Sequence, residues 1–501
     1  MKASVSRGLA WIGLASTLVA LLDLAALLII NNIWISPGEY GLATAVAWLF
    51  PILDQATDLG LSAAVIQRDD HDDTKISTVF WMNVAMGVAL FGLMAAIAPL
   101  VARPIVAAMA IVYGTKLIWQ NVYFIPVALM KRELRYKELS VVRIVANVGE
   151  FAGKIGFAWA GFGVWCFVLG PLARVLITGI GVQICHPWRP KMLFKLAAAK
   201  DYLMFGIKTS GSQILFYFYT NIHFPIVGHF FGDHALGLYR MATEIVLEPV
   251  RIISNVVVDI AFPTFARLRH SRERLIEQLV SFTNLNLITV MSYSIVVFVA
   301  ADQVVTVLFP DYPCADAIRI LGFVAVLRSI SLVIPPLLDG IGHPNRTFVY
   351  TLTASIALPI TFFAGSILLG GGLQALGGWG ATSHAVWGLD LMTGYLSAAV
   401  AWGIGYPIAF VILIWLAMYS LDWKTMAYFR KVSGVAGCLV AGGVAGAVVH
   451  FVLDRAGALD WVILLSTSAA VALATGLLLA YALGMTPASA ARAMKGEGEA
   501  S

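Results

Sequence analysis

Charge is what this chain has least of. Asp, Glu, Lys and Arg make up 12% of its 501 residues, against 60% hydrophobic residues and a mean hydropathy of +0.85. That is too little polar surface to cover a water-soluble globule, so soluble enzymes and soluble binding modules are excluded and an integral membrane protein is expected. Cysteine is also sparse: Cys166, Cys185, Cys314 and Cys438 show neither metal-ligand spacing nor a paired pattern, so disulfides, metal sites and cofactors are not expected. A Gly-x-x-x-x-Gly-Lys loop is missing, which speaks against nucleotide hydrolysis. The longer loops are basic, and the 370–390 stretch offers His384 and Asp390 but no paired carboxylates. The net charge of +5 would elsewhere suggest a nucleic-acid partner, but here the cations sit in short loops beside apolar runs, and none is expected.

What the chain has in abundance is apolar runs of about 20 residues, the length that crosses hydrocarbon as a helix. The first, Leu9 to Ile35, exceeds a signal-peptide core, and Asn31, Asn32 and Ile33 do not form a small-residue cleavage site, so it stays as a helix. Fourteen runs begin near Leu9, Gly41, Thr78, Ile105, Val141, Val164, Gly206, Met241, Leu285, Arg319, Thr347, Leu391, Gly434 and Trp461. The expected fold is therefore an all-α polytopic membrane protein. With Lys2 and Arg7 placed in the cytoplasm, the even-numbered connections and the tail fall on that side. They hold nearly all the loop cations: Arg68 and Lys75; Lys131, Arg132, Arg135 and Lys137; Arg189 to Lys208; Arg267 to Arg274; Arg346; Lys424 to Lys431; and Arg492 and Lys495. Both termini are expected inside. The glycine-rich 370–390 stretch reads as an external loop, and the tail 486–501 as disordered.

Two halves echo one another. Gly38-Glu39-Tyr40-Gly41-Leu42 follows the first run and Gly232-Asp233-His234-Ala235-Leu236-Gly237-Leu238 follows the seventh; Ile125-Pro126 is echoed by Ile334-Pro335. The pattern predicts two parallel six-helix bundles, 1–187 and 207–420, a cytoplasmic linker 188–206, and two additional helices within 421–485. In the linker region, Leu193, Phe194 and Leu196 alternate with Lys191, Lys195 and Lys200, as in an interfacial amphipathic helix or a plain cationic loop.

Ionisable groups at mid-bilayer cost on the order of 2.5–3.5 kcal/mol and usually face partners, water or substrate. Arg143, Asn147, Glu150 and Lys154 share one face of the fifth run, and Glu244, Glu248, Arg251, Asn255 and Asp259 share one of the eighth. By the helical rise, Lys116, Lys154, Arg174, Arg251 and Arg328 fall near one depth, a pattern suited to receiving a diphosphate or another anionic group. Mutual pairing, as between Glu150 and Lys154 one turn apart, is the simpler alternative. Asp54, Asp58, Glu150, Glu248 and Asp259 are candidates for ion coupling or gating. Insensitivity of transport to proton and sodium gradients would count against the coupling role.

Several stretches resemble the Wzx-type oligosaccharide flippases and polysaccharide exporters of the multidrug/oligosaccharidyl-lipid/polysaccharide (MOP) superfamily. They are Ser36-Pro37-Gly38-Glu39-Tyr40-Gly41-Leu42, Asp58-Leu59-Gly60-Leu61-Ser62 through Arg68, Ser77-Thr78-Val79-Phe80-Trp81-Met82-Asn83, Tyr239-Arg240-Met241-Ala242, Phe262-Pro263-Thr264-Phe265-Ala266-Arg267-Leu268 and Gly340-Ile341-Gly342-His343-Pro344-Asn345. The resemblance implies a bacterial inner-membrane flippase, not an enzyme, that moves undecaprenyl-diphosphate-linked repeat units to the periplasmic leaflet by alternating access. Its implied partners are that lipid-linked oligosaccharide, membrane lipids, and the polysaccharide polymerase and export machinery. Rival readings are a drug or lipid II exporter on the same fold and, further off, a membrane-embedded polymerase, ligase or glycosyltransferase.

Overall fold

The computed structural model describes residues 2–67, 72–369 and 394–483. Arg68, the 370–390 stretch and the tail 486–501 lie outside the described residues. Within them every regular element is a helix. The first passage is α1 (Lys2–Ile33). The second is split into α2 (Pro37–Ala47), α3 (Phe50–Asp58) and α4 (Leu61–Gln67); the third is α5 (Asp73–Val101); the fourth is α6 (Pro104–Gly114) with α7 (Lys116–Arg132). Then come α8 (Tyr136–Trp159), α9 (Cys166–Cys185), α10 (Leu196–Asn221) and α11 (His223–Leu268). The ninth passage, α12 (Arg272–Val299), is followed by the short α13 (Ala301–Leu308). The last five are α14 (Ala315–Gly340), α15 (Pro344–Leu368), α16 (Leu396–Ser420), α17 (Thr425–Arg455) and α18 (Asp460–Leu483).

These passages follow the expected apolar runs in order. Among the described residues, ten helices are long and apolar enough to cross a membrane. The other passages depart from simple spans for reasons visible in their residues. The second is cut into short pieces, while α8 carries Arg143, Glu150 and Lys154, α10 carries Lys200, Asp201 and Lys208, and α11 carries Glu244, Glu248, Arg251 and Asp259. Polar atoms inside a spanning helix need protein or water to face, so these are the passages on which to look for a site.

The break in the second passage is local chemistry. Ser36 caps α2 by accepting from the Glu39 backbone, while Glu39 accepts in return from the Ser36 backbone at 3.0 Å, with Pro37 in the first turn. Leu59 (φ 44°) and Gly60 (φ 68°) turn left-handed between α3 and α4. Glycine adopts that conformation freely, whereas for leucine it costs roughly 1–2 kcal/mol. Gly232 (φ 80°) similarly interrupts α11, at the first residue of the Gly232–Leu238 stretch.

Contacts group the chain into two compact units, 1–228 and 229–501. In the first, α1 packs on α8, α8 on α9, and α5 on α6 and α7. Gly87 on α5 lies so near α7 that a Cβ there would run into the Leu117 carbonyl oxygen. Helix α10, expected from sequence to open the second bundle, packs on α3, α4 and α5. In the second unit α12 packs against α14 and α17, α15 against α16, and α17 against α18.

The segment before α10 differs from the amphipathic helix considered above. Residues 186–195 are not helical, and α10 begins only at Leu196. Pro187 and Pro190 lack the donor a helix needs and push their predecessors out of the helical region. The amides of Lys191 and Lys195 are instead taken by Ser77 Oγ (3.0 Å) and Thr78 Oγ1 (3.1 Å), at the start of α5.

Candidate functional site

A cavity of about 750 Å³ opens within the first unit. The short α3 presents Asp54, Gln55 and Asp58 to it, α7 presents Tyr123, Phe124 and Lys131, α8 Arg143 and Asn147, α9 Arg174 and Thr178, and α10 Tyr217. The left-handed break after Asp58 is what positions this wall. It ends α3 within the thickness of the unit, and the freed Ser62 amide and hydroxyl bond Asp58 Oδ1 at 3.1 and 2.5 Å. Gln55 also donates to Ser210 on α10 at 3.3 Å, tying the broken second passage to the seventh.

Two ion-pair systems underlie the cavity. Lys116, with its side chain 7% exposed, places Nζ 2.8 Å from Asp54 Oδ2, and Gln120 Nε2 donates to the other carboxylate oxygen at 2.9 Å. The ammonium also lies over the rings of Phe50 and Tyr113, at 4.9 and 4.7 Å. In the second system Glu150, 6% exposed, accepts from Lys154 at 2.7 Å within α8 and from Arg174 on α9 at 3.0 Å. A Cβ at position 170 would meet Lys154 Cγ at 2.5 Å, so Gly170 on α9 makes room for the lysine stem. Asp23 on α1 lies within electrostatic reach of Lys154, Glu150, Arg174 and Arg143. Asp23 is not among the candidates named from sequence, although a lone aspartate inside an apolar run carries the same signal as they do.

In the second unit, Arg240 pairs with Glu244, and Arg251 with Glu248 at 2.7 Å. Arg328 on α14 is 8% exposed and stacks its guanidinium 5.6 Å from the Trp402 ring centroid. Among the described residues it has no carboxylate within 4 Å, although Glu248 is within electrostatic reach. Asn286 holds this region together by donating to Ser254 on α11 at 3.1 Å and to the Ser329 carbonyl at 2.7 Å. Asp259 is exposed and forms no ion pair among the described residues.

The five cations selected from sequence therefore fall into two groups. Lys116, Lys154 and Arg174 belong to the first unit and Arg251 and Arg328 to the second. Four of them have carboxylate partners in place, two of which, Asp54 and Glu150, bridge different helices. Charge balance rather than a bare cationic cluster is the resting arrangement, and Arg328 is the exception. Such pairs suit a site that must hold charge inside a membrane yet release it to a ligand.

Residues 34–312, more than half of the chain, match the family model described as polysaccharide biosynthesis protein. Among similar proteins, the teichuronic acid biosynthesis protein TuaB of Bacillus subtilis is 26% identical over 79% of each chain. The succinoglycan biosynthesis transport protein ExoT of Rhizobium meliloti is 22% identical over 71% of this chain and 73% of its own, and the lipopolysaccharide biosynthesis protein WzxC of Escherichia coli 23% over 76% and 78%. Among solved structures, the lipid II flippase MurJ in an inward closed conformation superposes with a TM-score of 0.71 at 12% identity, covering 96% of this chain and all of that one. An inward-facing MATE-family multidrug transporter of the MOP superfamily gives 0.56 at 15% identity, over 80% and 95%. At those identities the likeness establishes the fold, that of the MOP transporters, while the family match goes further: the chain is a multi-pass membrane protein that belongs to the polysaccharide biosynthesis protein family.

Proposed function

We propose that the protein is a flippase carrying undecaprenyl-diphosphate-linked oligosaccharide repeat units from the cytoplasmic to the periplasmic leaflet of the bacterial inner membrane, for exopolysaccharide synthesis. The observation that carries this reading is the cavity inside a membrane-spanning unit, where tyrosines, amides, hydroxyls and charged groups stand among apolar side chains and Asp54 and Arg174 are held in ion pairs. Amide and hydroxyl groups suit sugar hydroxyls, and tyrosine faces suit pyranose rings. The guanidinium groups of Arg174, Arg251 and Arg328 suit phosphate oxygens, with Lys116 and Lys154 as point charges. Transport here requires no covalent step: in the proposed cycle an incoming diphosphate competes for the first unit's cations now held by Asp54 and Glu150, and the released carboxylates favour the alternative access state.

With both termini in the cytoplasm and the cell interior negative, the direction is downhill for the cargo. Moving two negative charges outward gains up to about 4.6 kcal/mol per 100 mV, at about 2.3 per charge. A drug exporter of the same fold would favour a cavity dominated by unpaired carboxylates; here Asp54 and Glu150 are matched by cations. Deleting the gene should cause lipid-linked repeat units to accumulate on the inner leaflet while polymer output falls. Normal polymer output in the deletion strain would refute the reading.

A further inference from the structure

The strap formed by residues 186–195 is tied down along its length without being buried. Besides the two amide bonds to Ser77 and Thr78, Trp81 Nε1 donates to the Lys191 carbonyl at 3.0 Å, Lys191 Nζ meets Asp73 at 2.7 Å, and Trp188 packs edge-on against Phe80 at 5.6 Å. Holding the backbone this way leaves three consecutive apolar side chains outside the protein: Met192 is 86% exposed, Leu193 41% and Phe194 59%. Around them stand Arg189, Lys191, Lys195 and Lys200, all exposed, and only Lys191 has an ion-pair partner among the described residues.

A rigid backbone presenting an apolar triplet inside a cationic ring matches the boundary of an anionic lipid leaflet. There apolar side chains enter the acyl region and each nearby cation gains from the surface potential. We infer that residues 186–195, together with Lys200, form a binding surface for anionic phospholipid headgroups, with Met192 and Phe194 inserted beside them. The surface leads directly into α10, the helix that lines the cavity through Tyr217 and holds Gln55 through Ser210, so lipid bound here steadies one cavity wall. This assignment does not depend on the identity of the transported molecule.

The test uses the full chain in nanodiscs of phosphatidylcholine with a minor fraction of phosphatidylglycerol. Native mass spectrometry should find phosphatidylglycerol retained on the wild type, and retention reduced at least about tenfold when Arg189, Lys191, Lys195 and Lys200 are all replaced by Gln. Equal retention by the two proteins would overturn the proposal. So would displacement of the lipid by millimolar inorganic phosphate, which would make the site one for free anions. Independently, a nitroxide on Phe194→Cys should be quenched by oxygen more than by a water-soluble nickel chelate; the reverse order would place the strap in water and refute insertion even if the quadruple variant failed to fold.

Discussion

Glu150→Ala should cost more stability than any other single substitution in the first unit, about 3 kcal/mol or more. It strands Lys154 and Arg174 together without their shared carboxylate. Arg174 alone would be tolerable, because it keeps 42% of its side chain exposed, but Lys154 is 16% exposed and has little water to turn to. The unfolding midpoint of the reconstituted protein, followed by thiol-reactive dye or light scattering, should fall sharply for Glu150→Ala. It should recover in part for the double variant Glu150→Ala/Lys154→Ala, since removing both members of a buried pair is far milder than removing one. Strict additivity of the two single effects would show that the pair is not coupled.

The second large effect concerns transport instead. Arg328→Ala should reduce polymer export at least about tenfold, the loss expected when a charge-assisted hydrogen bond of roughly 1.5–3 kcal/mol to an anion is removed. The unfolding midpoint should stay level or rise, because the substitution deletes a nearly buried cation with no carboxylate within 4 Å among the described residues. Arg328→Lys should fall between the two, retaining the charge but losing the planar fork and much of the stacking on Trp402. A drop in midpoint with export intact would make Arg328 a structural residue and remove it from the substrate path.

Much of this molecule could be read from its residues. Apolar run length located the passages, although the second, expected to begin near Gly41, starts at Pro37 behind the Ser36 cap. Helical spacing placed Glu150 and Lys154 within reach of each other. The pairs Asp54–Lys116 and Glu150–Arg174 were not legible, since they join helices whose packing no spacing rule dictates. The break in the second passage was not legible either, because it uses a left-handed Leu59 ahead of Gly60, against the preference of the leucine side chain. The strap escaped for a related reason: its alternation of lysine and apolar residues fits a helix, and only the hydroxyls of Ser77 and Thr78, more than a hundred residues away, draw its amides elsewhere.

The bond between Glu150 and Arg174 also bears on how the chain enters the bilayer during synthesis. When α8 emerges from the ribosome its glutamate has only Lys154 for company, because Arg174 has yet to be made. The favourable unit for insertion is therefore α8 and α9 delivered together as a hairpin, with the loop between Trp159 and Cys166 as its tip. A chain truncated just before α9 should leave α8 only partly integrated, which glycosylation mapping would detect. Full integration of α8 by itself would mean that the helix enters before its cross-helix partner exists.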